Sequence, residues 1–173
     1  LVERAHGAGF SVALHAIGDA GARMSLDAFE QAQAAHPGFA ARDRIEHLEV
    51  VDAADLPRFA KLGVAASMQP LHADPGGADP TAGLFYRNLG AERMPLSFAW
   101  RSLAAAGARL AFGSDWPVVT ANPLPGLALA CTRRDAEGQP RAGWNAHQAI
   151  PVEEAVRAYT EGSAWAVGRE GEL

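Results

Sequence analysis

Apolar positions along this chain follow two alternating rhythms. In Gly9-Phe-Ser-Val-Ala-Leu-His15, Phe10, Val12 and Leu14 alternate with small or polar residues, as in a strand with one buried face. A Gly-rich turn, Ala16-Ile-Gly-Asp-Ala-Gly21, follows. The period then changes: Ala22, Leu26, Phe29 and Ala32 make one face of a helix over Ala22–His36, ended by Pro37-Gly38. The same alternation recurs three times. A strand over Arg44–Glu49 precedes a helix that starts at Asp52 or Asp55. Asp55 is favoured as its cap, because Pro57 then sits in the first turn, where a missing N–H costs little. Leu56, Phe59, Ala60 and Leu62 form its buried side, and Gly63 suits the left-handed position after it. A strand over Val64–Met68 and one over Ala108–Asp115 bracket a helix over Pro95–Ala106, and a final helix covers Val152–Thr160 with Pro151 at its first position. Gln69–Ala91 has no period and reads as a long connection of the kind that is either functional or disordered. A short helix is expected near Gly126–Thr132.

The order β-α-β-α-β-α-β-loop-α implies an α/β fold with a parallel sheet and right-handed crossovers. The chain has 173 residues, enough for one domain with a real core but short of the roughly 250 of a complete (β/α)₈ barrel. It starts Leu1-Val-Glu-Arg without an initiating Met, as a chain processed or cut from a longer one would. One cysteine, Cys131, excludes an internal disulfide framework and a CxxC zinc ribbon, and its apolar context reads as a small buried hydrophobe. No apolar run is long enough to span a membrane, and no targeting segment is recognisable, so a cytoplasmic location is expected. Net charge is −5 and the basic residues are scattered, which argues against a nucleic-acid partner.

The candidate chemistry is positional. His15, His47 and Asp115 each fall at the carboxyl end of an expected strand, and Ser67-Met-Gln-Pro-Leu-His72 ends the third. In parallel α/β folds ligands bind at that rim. Two imidazoles and a carboxylate are a mixed N/O set suited to a divalent ion, zinc foremost. Asp115 can serve such a site as ligand and as proton acceptor. Each residue alone also has a structural reading: a hydrogen-bonded histidine, or an Asp that caps a turn. Asp19 reads as a cap of the first helix or as a group reaching the site, while His6, His36 and His147 read as solvated. Gly113-Ser-Asp-Trp lacks the spacing of a nucleophile elbow, and Gly18-Asp-Ala-Gly21 that of a phosphate-binding loop.

His15-Ala-Ile-Gly-Asp19, Arg44-Ile-Glu-His47, Ser67-Met-Gln-Pro-Leu-His72 and Phe112-Gly-Ser-Asp-Trp-Pro-Val118 occur in this order. Pro123-Leu-Pro-Gly126, Thr132-Arg-Arg134 and Val152-Glu-Glu-Ala-Val-Arg-Ala-Tyr-Thr160 follow. As a set they closely resemble amidohydrolase family 3, the YtcJ-like metal-dependent hydrolases. The resemblance implies a distorted TIM barrel of which this chain supplies strands 5 to 8, so that residues 1–173 form the C-terminal half of the barrel, without the N-terminal half or the family's β-sandwich. It implies hydrolysis of an amide, N-formyl or cyclic amide C–N bond by metal-activated water. His15 and His47 correspond to metal-binding histidines after strands 5 and 6, and Asp115 to the strand 8 aspartate that is ligand and proton shuttle. The segment holding Gln69 and His72 corresponds to the strand 7 loop that lines the substrate pocket, with Trp116 and Phe85 as further pocket candidates.

The family's His-x-His pair and strand-end lysine have no counterpart: no His-x-His occurs, and the only lysine, Lys61, falls in a helix. The partners expected are a small-molecule substrate and either the other barrel half or a second copy. The competing reading is a non-catalytic half-barrel acting as a scaffold or regulatory module.

Overall fold

The computed structural model describes residues 1–172. Four strands, β1 (Ala13–Ala16), β2 (Arg44–His47), β3 (Ala65–Met68) and β4 (Arg109–Phe112), form one sheet in sequence order. All three pairings are parallel. The helices between them are α2 (Asp19–Ala35), α3 (Leu56–Leu62), α4 (Leu84–Leu89) and α5 (Trp100–Ala105), with α1 (Val2–Gly7) before the sheet and α6 (Pro123–Thr132), α7 (Val152–Arg157) and α8 (Ser163–Ala166) after it. The expected α/β architecture is therefore present.

Register gives the sheet two chemically distinct faces. Leu14, Ile45, Ala66 and Leu110 stand in one row, and Ile45 and Ala66 are fully buried. They join Leu26, Phe29, Phe59 and Leu103 from the helices in one continuous core. The opposite row is His15, Glu46, Ser67 and Ala111. Glu46 there accepts hydrogen bonds from Arg44 Nε (2.6 Å) and Ser67 Oγ (2.5 Å), so the polar side chains of this face satisfy one another across strands.

Several local expectations change. β1 begins at Ala13, and Phe10 is largely exposed, because the Ala8–Phe10 turn folds back on α1 through hydrogen bonds to Arg4, Ala5 and His6 carbonyls. α2 starts at Asp19 with Gly18 as its cap residue; the Asp19 carboxylate accepts only from Ala20 N. Asp55 does not cap α3 with its side chain. It is buried and takes Arg23 Nε at 2.9 Å and Arg58 Nη1 at 3.1 Å, while Asp52 caps the preceding 3₁₀ turn through Ala54 N. Gly63 is left-handed, as expected. The expected helix over Pro95–Ala106 is broken at Ser97–Ala99, where Phe98 is left-handed and its N–H bonds the Glu49 carbonyl instead of continuing a helix. Pro151 is the cap residue of α7, not its first helical residue, and α7 widens into a π-helical stretch over Ala158–Gly162 before α8.

His6 is a clear correction. It is buried, its Nε2 lies 2.9 Å from Asp43 Oδ2, and Asp43 also accepts Val12 N. The pair anchors α1 beneath the sheet. Its partners are 37 residues apart, which no local period could reveal. His147 is exposed and touches the Pro95 carbonyl at 2.9 Å, and Cys131 is only half-buried.

Candidate metal-binding site

His15 is the penultimate residue of β1, and His47 is the last residue of β2. His72 lies in the 3₁₀ turn Pro70–Ala73 that leaves β3. Asp115 follows β4 by three positions. All four sit at the carboxyl rim of the parallel sheet. Strand alternation would put the His47 side chain on the Ile45 face, but its backbone is left-handed (φ 80°). The ring ends with its centroid 4.4 Å from that of His15, edge-on. Asp115 is left-handed too (φ 56°). Non-glycine residues held there carry strain of order 1–3 kcal/mol, and such strain concentrates at functional sites.

His47, His72 and Asp115 each offer one ligand atom such that all three atoms lie within 4.8 Å of one another. The His47 and His72 rings stack with centroids 5.9 Å apart. His15 is outside this trio, though its ring abuts that of His47. Two buried imidazole nitrogens, His47 Nδ1 and His72 Nε2, have no hydrogen-bond partner. An unpaired buried polar atom is costly, and a lone pair left free beside a carboxylate suits a cation. Burial holds the His72 pKa below the ordinary histidine value; Asp115 opposes this and His47 reinforces it. A neutral imidazole is the ligating form. The donor set therefore fits a divalent ion.

The other expected residues are more dispersed. Gln69 is buried directly after β3 with its Oε1 unpartnered. Trp116 stands 71% exposed beside Asp115. Phe85, at the edge of α4, packs its ring 5.8 Å from that of Phe98. Asp19 lies 3.6 Å from Arg93 Nη1, in an ion pair. Lys61 is exposed on α3 and donates to Glu30 at 2.7 Å, as its helical setting implied.

Three features go beyond the sequence reading, although His72 and Phe85 of the third are among its pocket candidates. Glu49, two residues past His47, is half-buried; burial pushes its pKa up, and neighbouring His15 works against that. Arg133 is wholly buried without a carboxylate partner. It donates from Nε to the Trp144 carbonyl (2.8 Å) and from Nη1 to the Phe98 carbonyl (3.3 Å), with its guanidinium over the rings of Trp100 (4.3 Å) and Trp144 (4.8 Å). Burial pushes it down, to about 9, while indole faces and carbonyls favour the cation. Third, a pocket of about 280 Å³ opens beside His72, walled by Phe85, Phe98 and Trp144. The Thr132-Arg-Arg134 motif is visible in the sequence; what Arg133 holds is not.

The family profile described as "Amidohydrolase family" matches residues 1–173. The chain belongs to the amidohydrolase family. It is 35% identical over 171 residues to YtcJ of Bacillus subtilis (strain 168), named an amidohydrolase; the match covers 98% of this chain and 31% of that protein. It is 30% identical over 174 residues to the N-substituted formamide deformylase of Arthrobacter pascens, covering 99% of this chain and 30% of that one. An uncharacterised metal-dependent hydrolase from Pyrococcus furiosus superposes with a TM-score of 0.74 at 30% identity, over 98% of this chain and 31% of that chain. The chain thus spans under a third of the length of these amidohydrolase-family relatives. Its four parallel strands and alternating helices make a partial barrel.

Proposed function

We propose that this chain carries the C-terminal half of the active site of a metal-dependent amidohydrolase that cleaves a C–N bond, in an amide, N-formyl or cyclic amide substrate. The observation that supports it most is the convergence of His47, His72 and Asp115 within 4.8 Å at the strand rim. The names of the relatives, a formamide deformylase among them, point to the same class. His47 and Asp115 are the core ligands, and His15, packed on His47, and His72 are the two candidates for the remaining imidazole. N/O donors of this kind accept zinc readily. Bound there, a divalent ion supplies a Lewis acid that brings the pKa of water from 15.7 toward about 7.

The chain's own residues do the rest. Asp115 is exposed at the rim, able to accept the proton of an attacking water and to return it to the leaving nitrogen. Left-handed backbone at 115 aims that carboxylate away from the strand. Half-buried His72, its pKa lowered by burial, presents an unpartnered Nε2. Gln69 and Trp116 border the rim from the loops after β3 and β4, positions from which to contact substrate.

Asp115→Asn in the full-length protein keeps the side chain's shape and removes its basicity. Turnover of the best substrate from a panel of N-acyl and N-formyl compounds should fall by more than about 100-fold, in line with general acid–base contributions of 10²–10⁴, with an unchanged circular-dichroism spectrum. A kcat within about tenfold of wild type, about 1.4 kcal/mol, would remove Asp115 from this role.

A further inference from the structure

We propose that the pocket beside His72 receives an aromatic ring of the substrate, so that the preferred substrates are amides bearing a single-ring aryl group. This rests on the metal-hydrolase reading above and adds the substrate class to it.

The pocket volume is about 280 Å³, close to the lower end of small-molecule sites at roughly 300 Å³, and suited to one ring with a short chain. His72 belongs both to its lining and to the candidate metal group, so a substrate whose carbonyl faces that group has this pocket as a neighbour. Four Phe, Tyr or Trp side chains line it: Phe85, Tyr86, Phe98 and Trp144. Phe98 and Trp144 meet with ring centroids 5.9 Å apart at 68°, Phe85 and Phe98 lie 5.8 Å apart, and Phe85 and Trp144 cross at 81° with centroids 6.4 Å apart. Edge-to-face walls of this sort favour another ring over an alkyl chain of equal area.

The pocket is also held in shape from behind. Arg133 bonds the carbonyls of both Trp144 and Phe98, and its guanidinium lies over the Trp144 ring. Phe98 is further fixed by its left-handed backbone and its bond to the Glu49 carbonyl. Walls fixed in advance lose little entropy on binding. Phe85, by contrast, is 37% exposed on short helix α4, and is the wall that can be cut back without opening the core.

The test compares phenylacetamide with acetamide on the full-length protein. In chelator-treated protein, titration calorimetry or ligand-observed NMR should show phenylacetamide binding at least about tenfold tighter, and Phe85→Ala should shrink that preference at least about threefold. Leu84→Ala, at a more exposed lining position, should shrink it in the same direction, and Phe85→Leu should keep more of it than Phe85→Ala. Equal affinity for the two amides, or a preference untouched by Phe85→Ala and Leu84→Ala, overturns the proposal. The metal-restored protein separates the two readings. Hydrolysis of both amides with equal kcat/KM sinks the aryl pocket and leaves the hydrolase, whereas ring-selective binding with no hydrolysis of any amide in the panel sinks the hydrolase reading.

Discussion

At the residue scale, two backbone positions set the candidate site and two glycines set how closely its supports pack. His47 and Asp115 leave their strands through left-handed turns, and both side chains thereby reach the rim. Gly162 shows the other constraint. A Cβ at 162 would land on the Leu110 carbonyl oxygen, a backbone atom that cannot swing away, and a Cβ at Gly126 would land on Tyr159 Oη. Gly162→Ala should therefore destabilise the full-length protein by about 1–3 kcal/mol, the usual cost of overpacking, read as a lower urea midpoint with an unchanged slope. A midpoint within error of wild type would mean that the π-helical stretch can move off β4. His15, His47 and Asp115 stand out in the sequence because each falls at the carboxyl end of an expected strand. The trio itself is only partly legible there. His72 reads there as a substrate contact, since a residue in an aperiodic loop gives no sign of where it folds back.

At the scale of elements, each β/α unit is readable because its period changes from two to 3.6 at a Gly- or Pro-rich turn. Their ends are less so. Strand lengths are set by the partner strand, and β1 pairs only over Ala13–Ala16. The break at Ser97–Ala99 comes from a bond to Glu49, far away in sequence. The C-terminal segment depends on such long-range ties. Arg42, just before β2, donates to the Trp165 carbonyl (2.9 Å) and with both terminal nitrogens to Glu170 (2.6 Å each). The hydrogen bonds and charge of Arg42 lower the Glu170 pKa from 4.5 to about 2. A carboxylate lowered in the folded state stabilises fully above its unfolded pKa and loses that contribution as pH falls through the folded value. Glu170→Gln should accordingly lower the melting temperature modestly at pH 7, and the gap from wild type should close progressively below about pH 4.5. A gap that stays constant from pH 7 to pH 3 would assign the effect to packing instead.

At the scale of the whole molecule, the four-stranded parallel sheet brings together histidines and an aspartate that are far apart along the chain. No helix among the described residues is long and apolar enough to cross a membrane. One sheet face is packed by helices; the other carries His15, Glu46 and Ser67 in a row that leads to the rim. Both features follow from parallel strands in sequence order. The parallel pairing is legible in the sequence alone from the strand–helix alternation, whereas the strand order follows only from the family resemblance. The polar network and the aromatic pocket are not, because their members come from separate loops.

In the proposed function, His47 and Asp115 hold a divalent ion at this rim. Zinc affinity, measured by chelator competition on the full-length protein and on its His47→Ala and Asp115→Ala variants, tests it most directly. Losing a ligand should cost more than the 10–100-fold typical of residues that merely orient one. The expected result is therefore zinc held more than about 100-fold less tightly in both variants, with native secondary structure retained. Wild-type zinc affinity in both variants would contradict the account.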